Sequence, residues 1–389
     1  MTEPRDIPRL PVLDWHTFGR RGSAPPPSIL DSPSRVMTAS GRAAIALGLE
    51  QLGIGAGDEI LVPTYHCPTM VAPIVKLGAT PRYYPINERG EPILDYLAGA
   101  IDSHTRAIIV PHFFGLPQPM GKFREFCERR GLALIEDCAH AFFGQADGRP
   151  VGQWGDFAIA SLTKFFPVPS GGILVAAAAG EVGARLAAPG PVRQVKALVD
   201  ILETAGDYRR LRGLAPLLRL AFRAKNSVRR PPSQEAPTTS AGAGVPGPLT
   251  YSFDMDLAHQ EPEAISKAIP LVADPRRIAE RRRANYRQLA AALSGHSGFA
   301  PLRPDLPEHA VPYVFPLRVS DPDAKYARLR QLGLPVFRWN WLWPDTPALP
   351  GDVGLQWSSE VFQLACHQDL REDELACIAT TVRSVCGTP

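Results

Sequence analysis

Three features predict an α/β protein: a three-layer α/β/α sandwich around a mainly parallel sheet, followed by a smaller C-terminal α+β domain. Short apolar runs alternate with helical patterns over residues 40–175, the arrangement that builds parallel strands joined by helical crossovers. The runs are strongly apolar, as strands covered on both faces are. The chain has 389 residues, 45% hydrophobic and 21% charged, an ordinary globular composition with room for roughly two to three domains.

Proline punctuates this plan. There are 41 prolines and 33 glycines; a proline share about twice the usual one keeps long uninterrupted helices from dominating. Seven prolines lie in residues 1–33, six from Pro216 to Pro248 and ten from Pro301 to Pro350, so most fall outside the regular alternation. Residues 1–33, with Pro25, Pro26 and Pro27 in a row and isolated Leu13, Trp15 and Phe18, read as an extended N-terminal arm. Residues 34–190 read as the large core domain. In it SGRAAIALGLEQLGI, from Ser40, predicts a helix that Gly55 and Gly57 end before the strand EILVP. Strand candidates follow at residues 80–84, 107–110, 132–135, 157–161 and 172–175, with a helix over residues 120–130.

Residues 191–250 read as a basic helical insertion and linker. Between residues 190 and 230 there are ten Lys or Arg against three acidic residues. From Tyr208 to Arg230 the pattern places Leu211, Leu214, Leu218 and Phe222 on one helical face and Arg212, Arg219 and Arg223 on another, with Pro216 as a kink. Packing of this helix on its own domain is the plainer expectation, and contact with a membrane surface or a partner is the alternative. Pro231 to Pro248 is a Pro/Gly/Ser-rich linker. Residues 251–389 read as the small domain, with a helix over residues 275–293, a strand over 313–319, a helix over 324–332, the aromatic segment VFRWNWLWP and a closing helix over 372–385. Arg338 in that segment is expected at the surface, among aromatic rings.

The net charge of +3 is too small for a nucleic-acid footprint. Six cysteines with no CxxC pair favour free thiols and a cytoplasmic protein. The N-terminus lacks the apolar stretch of a signal peptide, and no 18 apolar residues run together, so neither export nor a transmembrane segment is expected.

The chemistry is concentrated in three places. The strand LALIEDCAHAFFG brings Glu136, Asp137 and His140 to its carboxyl end, where open α/β sheets bind ligands. Lys164 follows in GDFAIASLTKFFPVPSGGILV, between two strand candidates, where burial would depress its pKa and make it a nucleophile toward an aldehyde. Ser40, Gly41 and Arg42 open a helix whose free N–H groups suit a phosphate. Singly these are a strand-end cap, a loop lysine and a helix N-cap. Together they are what pyridoxal phosphate (PLP) needs: a lysine for its aldehyde, a carboxylate for its ring nitrogen and a cradle for its phosphate.

The segments SGRAAIALGLEQLGIGAGDEILVPTYHCPT, GATPRYYPI, TRAIIVPHFFG, GLALIEDCAHAFFG and VGQWGDFAIASLTK resemble the DegT family of sugar aminotransferases, fold type I PLP enzymes; RRRANYRQL and LACHQDLREDEL resemble it more weakly. The resemblance implies that Lys164 is the catalytic lysine that holds the cofactor. It implies that Asp137 pairs with the ring nitrogen and that Ser161, Ser40, Gly41 and Arg42 contact the phosphate. His140 stands where the family commonly has Gln near the ring's phenolic oxygen; a structural histidine is the competing reading. The family's stacking aromatic aligns near Cys67, which leaves Tyr65 or His66 for that task. Arg42 replaces a usual Thr, and the family's dimer-site segment is not recognisable between Tyr251 and Ser266. Lys164 argues against the branch of the family that dehydrates sugars, which carries His there. The implied activity is transfer of an amino group from an amino acid, glutamate being expected, to a keto-sugar, expected to be nucleotide-linked, by a homodimer in polysaccharide or secondary-metabolite sugar biosynthesis. Another PLP reaction (a lyase, a decarboxylase or a non-sugar transamination) and a non-catalytic scaffold are the alternatives.

Overall fold

The computed structural model describes residues 3–19, 25–176, 180–214 and 251–387. Strands β1 (Arg35–Thr38), β2 (Glu59–Pro63), β3 (Thr80–Tyr84), β4 (Thr105–Pro111) and β5 (Ala133–Asp137), the small hairpin β6 (Gln145–Ala146) and β7 (Arg149–Pro150), then β8 (Phe157–Ser161) and β9 (Gly172–Ala176) follow one another along the first part of the chain. Between them run helices α1 (Gly41–Gln51), α2 (Pro68–Lys76), α3 (Leu94–Ala100) and α4 (Met120–Arg130). Seven strands make one sheet in the order β1-β9-β8-β5-β4-β2-β3. From β3 to β8 all neighbours are parallel; β9 runs antiparallel to both β8 and β1.

Both faces of the sheet are covered, which explains the apolar runs. Ile60, Val62, Ile109, Ile135 and Ile159 pack with Leu47 of α1 and Val71 of α2. Leu61, Ile108, Val110, Leu134 and Ala158 face the other way, toward Leu97 of α3 and Phe123 of α4. Successive side chains of a strand point to opposite faces, so a strand buried on both sides needs an apolar residue at every position. The predicted α/β/α sandwich is therefore the observed one. Helices α2 and α3 escape the sequence reading because Pro68, Pro73 and Gly99 interrupt their patterns.

Beyond β9, α5 (Pro191–Asp207) and α6 (Ala264–Val272) pack against each other. The helix expected from Tyr208 does not begin there: Tyr208 caps the end of α5 and Arg209 takes a left-handed φ of 55°. The chain turns because Arg210 is buried against Glu374, whose two carboxylate oxygens accept from its Nη2 at 2.6 and 2.7 Å. From residue 215 that expected helix, and with it the whole linker, lies outside the described residues.

The rest of the chain builds a second layer: α7 (Pro275–Leu293), β10 (Phe299–Pro301), β11 (Val314–Val319), α8 (Pro322–Gln331), α9 (Gly354–Glu360), β12 (Val361–Ala365) and α10 (Glu372–Cys386). Its sheet is antiparallel, in the order β10-β11-β12, and Tyr286, Leu289, Phe315, Leu317, Phe362 and Leu375 form its own core. Among its described residues the arm forms three-residue turns such as Pro4–Asp6 and Trp15–Thr17 and one isolated bridge, Ser28 to Phe143, yet it is firmly seated. Ile7 enters the second core, Val12 packs with Ala205 and Leu211, and Ile29 joins the main core.

Two buried histidines fasten loops to this frame. His367 donates from Nε2 to the Pro8 carbonyl at 3.0 Å while its Nδ1 accepts from Asp369 N–H at 3.3 Å. His66 donates from Nδ1 to the Pro63 carbonyl and accepts at Nε2 from Trp343 N–H, both at 2.9 Å. Burial pushes His367 down to about 3 and His66 down to about 4, from an ordinary 6.5. The unfolded chain therefore binds protons in that interval that the folded chain refuses. Stability from these groups is complete above the ordinary value and is lost as pH falls below it. Urea midpoints measured from about pH 7.5 down to about 4.5 are expected to decline, and less steeply in His367→Gln; parallel declines in both proteins would exclude His367 as a cause.

Candidate active site

The carboxyl ends of β5 and β8 and the amino end of α1 meet at one edge of the large sheet. Asp137 ends β5 and by strand alternation shares the face of Ile135, the face that α1 covers. Its Oδ1 accepts from Ala139 N–H at 2.8 Å, so it also caps the strand end. Glu136 points to the opposite layer, where it accepts from His112 Nε2 at 2.8 Å and from the N–H groups of Gly152 and Trp154. Lys164 closes the turn Leu162–Lys164 that leaves β8 and is half-buried. Burial pushes its pKa down, opposed chiefly by Asp137; burial pushes the Asp137 carboxyl up, opposed chiefly by Lys164. Each charge is thus sustained by the other, and an amine eased toward its neutral form is a better nucleophile and base.

A second cradle lies beside this pair. Ser40 caps α1, its Oγ accepting from Ala43 N–H at 3.2 Å. A Cβ on Gly41 would stand 3.7 Å from both the Ala160 carbonyl oxygen and Ser161 Cβ, so the start of α1 lies against the end of β8. Strand β9 comes closer still: a Cβ on Gly172 would fall 2.3 Å from the Ser40 carbonyl oxygen, which only glycine permits. Ser161 Oγ is 3.2 Å from Thr163 Oγ1. The first-turn N–H groups of an eleven-residue helix, with two serine hydroxyls beside them, could hold an anion. Arg42 Nη1 donates to the Ser252 carbonyl at 3.0 Å, so the segment after residue 250, unrecognisable from its sequence, is what orients this arginine.

His140 is buried, and its Nδ1 accepts from Phe114 N–H at 3.2 Å, so the neutral ring carries its proton on Nε2. Burial, then the charge of Lys164, holds its pKa well below the ordinary value. The turn that supplies this bond is strained, with φ of 62° at Phe114 and 86° at Gly115. Phe114 carbonyl in turn accepts from Tyr313 N–H at 2.8 Å, and the His140 and Tyr313 rings lie 4.6 Å apart. Lys164 Nζ stands 5.4 Å from the centre of the Tyr313 ring.

Ser40, Gly41 and Ser161 thus meet directly, Asp137, His140 and Lys164 meet electrostatically, and Arg42 adjoins the helix start. Tyr65 is set deeper. Its ring is wholly buried among Trp339 at 4.9 Å, Phe113 at 5.2 Å and Trp357 at 5.6 Å, and its hydroxyl accepts from Gln363. Trp339, which touches Tyr65, also lies 5.2 Å from His140. His66 is committed to backbone groups, whereas the half-buried Cys67 interacts electrostatically with Lys164.

One site residue gave no signal as such. Arg282 reads as part of the basic face of α7, yet it is fully buried. It donates to the Lys164 carbonyl at 2.7 Å, to the Pro312 and Tyr313 carbonyls at 3.0 and 3.2 Å and to Gln368 Oε1 at 2.7 Å, and its guanidinium lies over the Phe165 ring. Burial brings its pKa to about 10. Arg338, expected at the surface, is buried too: Nη2 donates to Asp323 at 2.6 Å and Nη1 to the Ser359 carbonyl, because α8 and α9 close over it.

The seven-stranded sheet with one reversed strand, the helices on both faces and the antiparallel module behind it recur in solved aminotransferases, which share this fold. Residues 30–180, which carry every predicted site residue, match the DegT/DnrJ/EryC1/StrS aminotransferase family. Among curated relatives, the UDP-N-acetyl-3-dehydro-α-D-glucosamine 3-aminotransferase of Acidithiobacillus ferrooxidans is 38% identical over 130 residues, 33% of this chain and 34% of that protein. GDP-perosamine synthase of Vibrio cholerae is 33% identical over 139 residues, 35% of this chain and 38% of that protein. The chain thus matches little more than a third of the length of these relatives. A solved sugar aminotransferase from Micromonospora echinospora shares the fold with a TM-score of 0.63 at 21% identity, over 97% of this chain and 99% of that one.

The close approach of β9 to α1 makes a direct test of the cradle. Gly172→Ala is expected to force the Ser40–Gly41 turn away from Ser161, lowering stability by about 1–3 kcal/mol and weakening PLP uptake measured by fluorescence titration. Uptake equal to that of the wild type would show that the cradle does not depend on this approach.

Proposed function

We propose that this protein is a PLP-dependent aminotransferase that moves an amino group from an amino acid, glutamate in the first instance, to a nucleotide-linked keto-sugar. The observation that carries the proposal is the convergence of Asp137, Lys164 and the Ser40–Arg42 helix start at one sheet edge, from three separate segments of chain. The residues present fit the cofactor: Lys164 for its aldehyde, Asp137 for its ring nitrogen, and the α1 N-terminus with Ser161 and Arg42 for its phosphate. When bound, PLP supplies a carbonyl that condenses with amines and a ring that disperses the negative charge left by removal of a proton from carbon.

The chain's own residues do the rest. Asp137 would accept a hydrogen bond from the protonated ring nitrogen and hold that proton in place. Lys164 Nζ, eased toward its neutral form by burial, would remove and return a proton at the substrate carbon that bears the nitrogen. His140 Nε2–H is a donor fixed by the Phe114 N–H bond to Nδ1, with the Tyr313 and Trp339 rings packed against the imidazole. Residues 34–190 with residues 251–389 form the large and small domains on this reading, with residues 1–33 as the arm and 191–250 as the insertion. The six free cysteines support a cytoplasmic location. Val192, Val195 and Leu198 on α5 with Leu271 and Val272 on α6 form exposed apolar ground that suits a homodimer contact. Among the described residues no helix is long and apolar enough to cross a membrane.

The test is covalent. Protein loaded with PLP, reduced with borohydride and digested is expected to carry the reduced cofactor on the peptide containing Lys164, and Lys164→Ala is expected to carry none and to lose transamination of L-glutamate. A label on another lysine, or no label in the wild type, would remove the basis of the proposal.

A further inference from the structure

The N-terminal arm enters the site. Its backbone is pinned on both sides of Arg9: before it Ile7 is buried in the second core and the Pro8 carbonyl is held by His367, and beyond it Val12 packs with Ala205 and Leu211. The half-buried Arg9 guanidinium lies 4.2 Å from the centre of the Phe337 ring and hydrogen-bonds the Tyr313 side chain. Arg9, Tyr313, Phe337 and Gln363 line one small cavity. Tyr313 is the ring beneath Lys164 Nζ, so Arg9 approaches the lysine from the side of the C-terminal module.

This placement has a chemical meaning if the site is an aminotransferase site, and the inference rests on that reading. Every amino-acid donor carries a carboxylate on the carbon that bears its amine. With the amine delivered to the position of Lys164 Nζ, the carboxylate carbon lies two bonds from the nitrogen, on the substrate carbon above the Tyr313 ring that Arg9 shares a cavity with. A guanidinium there matches a carboxylate with two parallel N–H donors. The other buried arginines near the centre have different tasks: Arg282 binds carbonyls, Arg338 binds Asp323 and Arg210 binds Glu374. We infer that Arg9, delivered by the arm and oriented by Phe337 and Tyr313, binds the α-carboxylate of the amino donor and so determines the donor class. Lys164 also feels the positive charge of Arg9, which an arriving carboxylate would offset.

The experiment uses the full chain loaded with PLP and a carboxylate that cannot react, glutarate, followed by tryptophan fluorescence and calorimetry. Arg9→Gln is expected to bind glutarate roughly ten- to a hundredfold more weakly than the wild type and to raise KM for L-glutamate with kcat little changed. Arg9→Lys is expected to fall between them, and Arg5→Gln, an exposed change on the same arm, to behave as the wild type. Circular dichroism and the borohydride label on Lys164 establish that each variant is folded and loaded. Loss of that label from the wild type would defeat the enzyme reading itself. With the label intact, unchanged glutarate binding in Arg9→Gln, or weakened binding of pyrophosphate with glutarate unaffected, overturns the assignment. Should Arg9→Gln not fold, Arg9→Lys decides by the same measurements.

Discussion

A single buried guanidinium ties the two parts of this molecule together. Arg282 reaches from α7 to the Lys164 carbonyl, to the carbonyls that precede β11 and to Gln368, which itself donates to the Phe165 carbonyl at 2.8 Å. A charge taken out of water is tolerated only when its donors are used, and here the backbone of the lysine turn uses one of them. The same bonds that satisfy Arg282 fix the turn that carries Lys164. The position of the lysine therefore depends on the docking of the second module, not on the large sheet alone.

The remaining site geometry follows from a few close approaches of backbone to backbone. Gly172 lets β9 pass the Ser40 carbonyl, which sets the start of α1 against Ser161. Gly115 lets the strained turn at Phe114 pass His140 and Tyr313: a Cβ there would stand 2.6 Å from the His140 carbonyl oxygen and 2.5 Å from Tyr313 N. These contacts bring charges and rings together at the strand ends, where parallel strands leave a crevice. The arm completes the enclosure by crossing from the second core to the rim of the lysine pocket. On the proposed reading, chemistry is thus placed on the rigid sheet, and selectivity on the pieces that fold over it.

Much of the large sheet was legible because burial on both faces writes itself into composition: EILVP, the run at residues 107–110 and LALI have no other stable place to be. The Asp137 and Lys164 pair was legible because a carboxylate and a lysine at apolar strand ends are costly unless used. Helices containing Pro73 or Pro270 were not, since the break in pattern resembles a loop although the packed helix tolerates it. Nor was the turn at residues 208–214 legible, because the apolar and basic faces continue through it and only the buried partner Glu374 diverts the chain. Arg338 looked like a surface charge because no local pattern marks a guanidinium whose partners, Asp323 and the Ser359 carbonyl, lie on other elements.

By itself the sequence determined the α/β/α framework, most strands of the large sheet, and the residue types at its carboxyl edge, because these follow from local periodicity and the cost of burying unlike groups. Tertiary structure alone decided that Arg282 holds the lysine turn, that Tyr65 faces inward among aromatic rings, and that the proline-rich arm brings Arg9 into one cavity with Tyr313, the ring beneath Lys164 Nζ. Those outcomes depend on pairings across long stretches of chain, where the partner's position, and not the residue's own neighbours, settles whether a charge is solvated or enclosed.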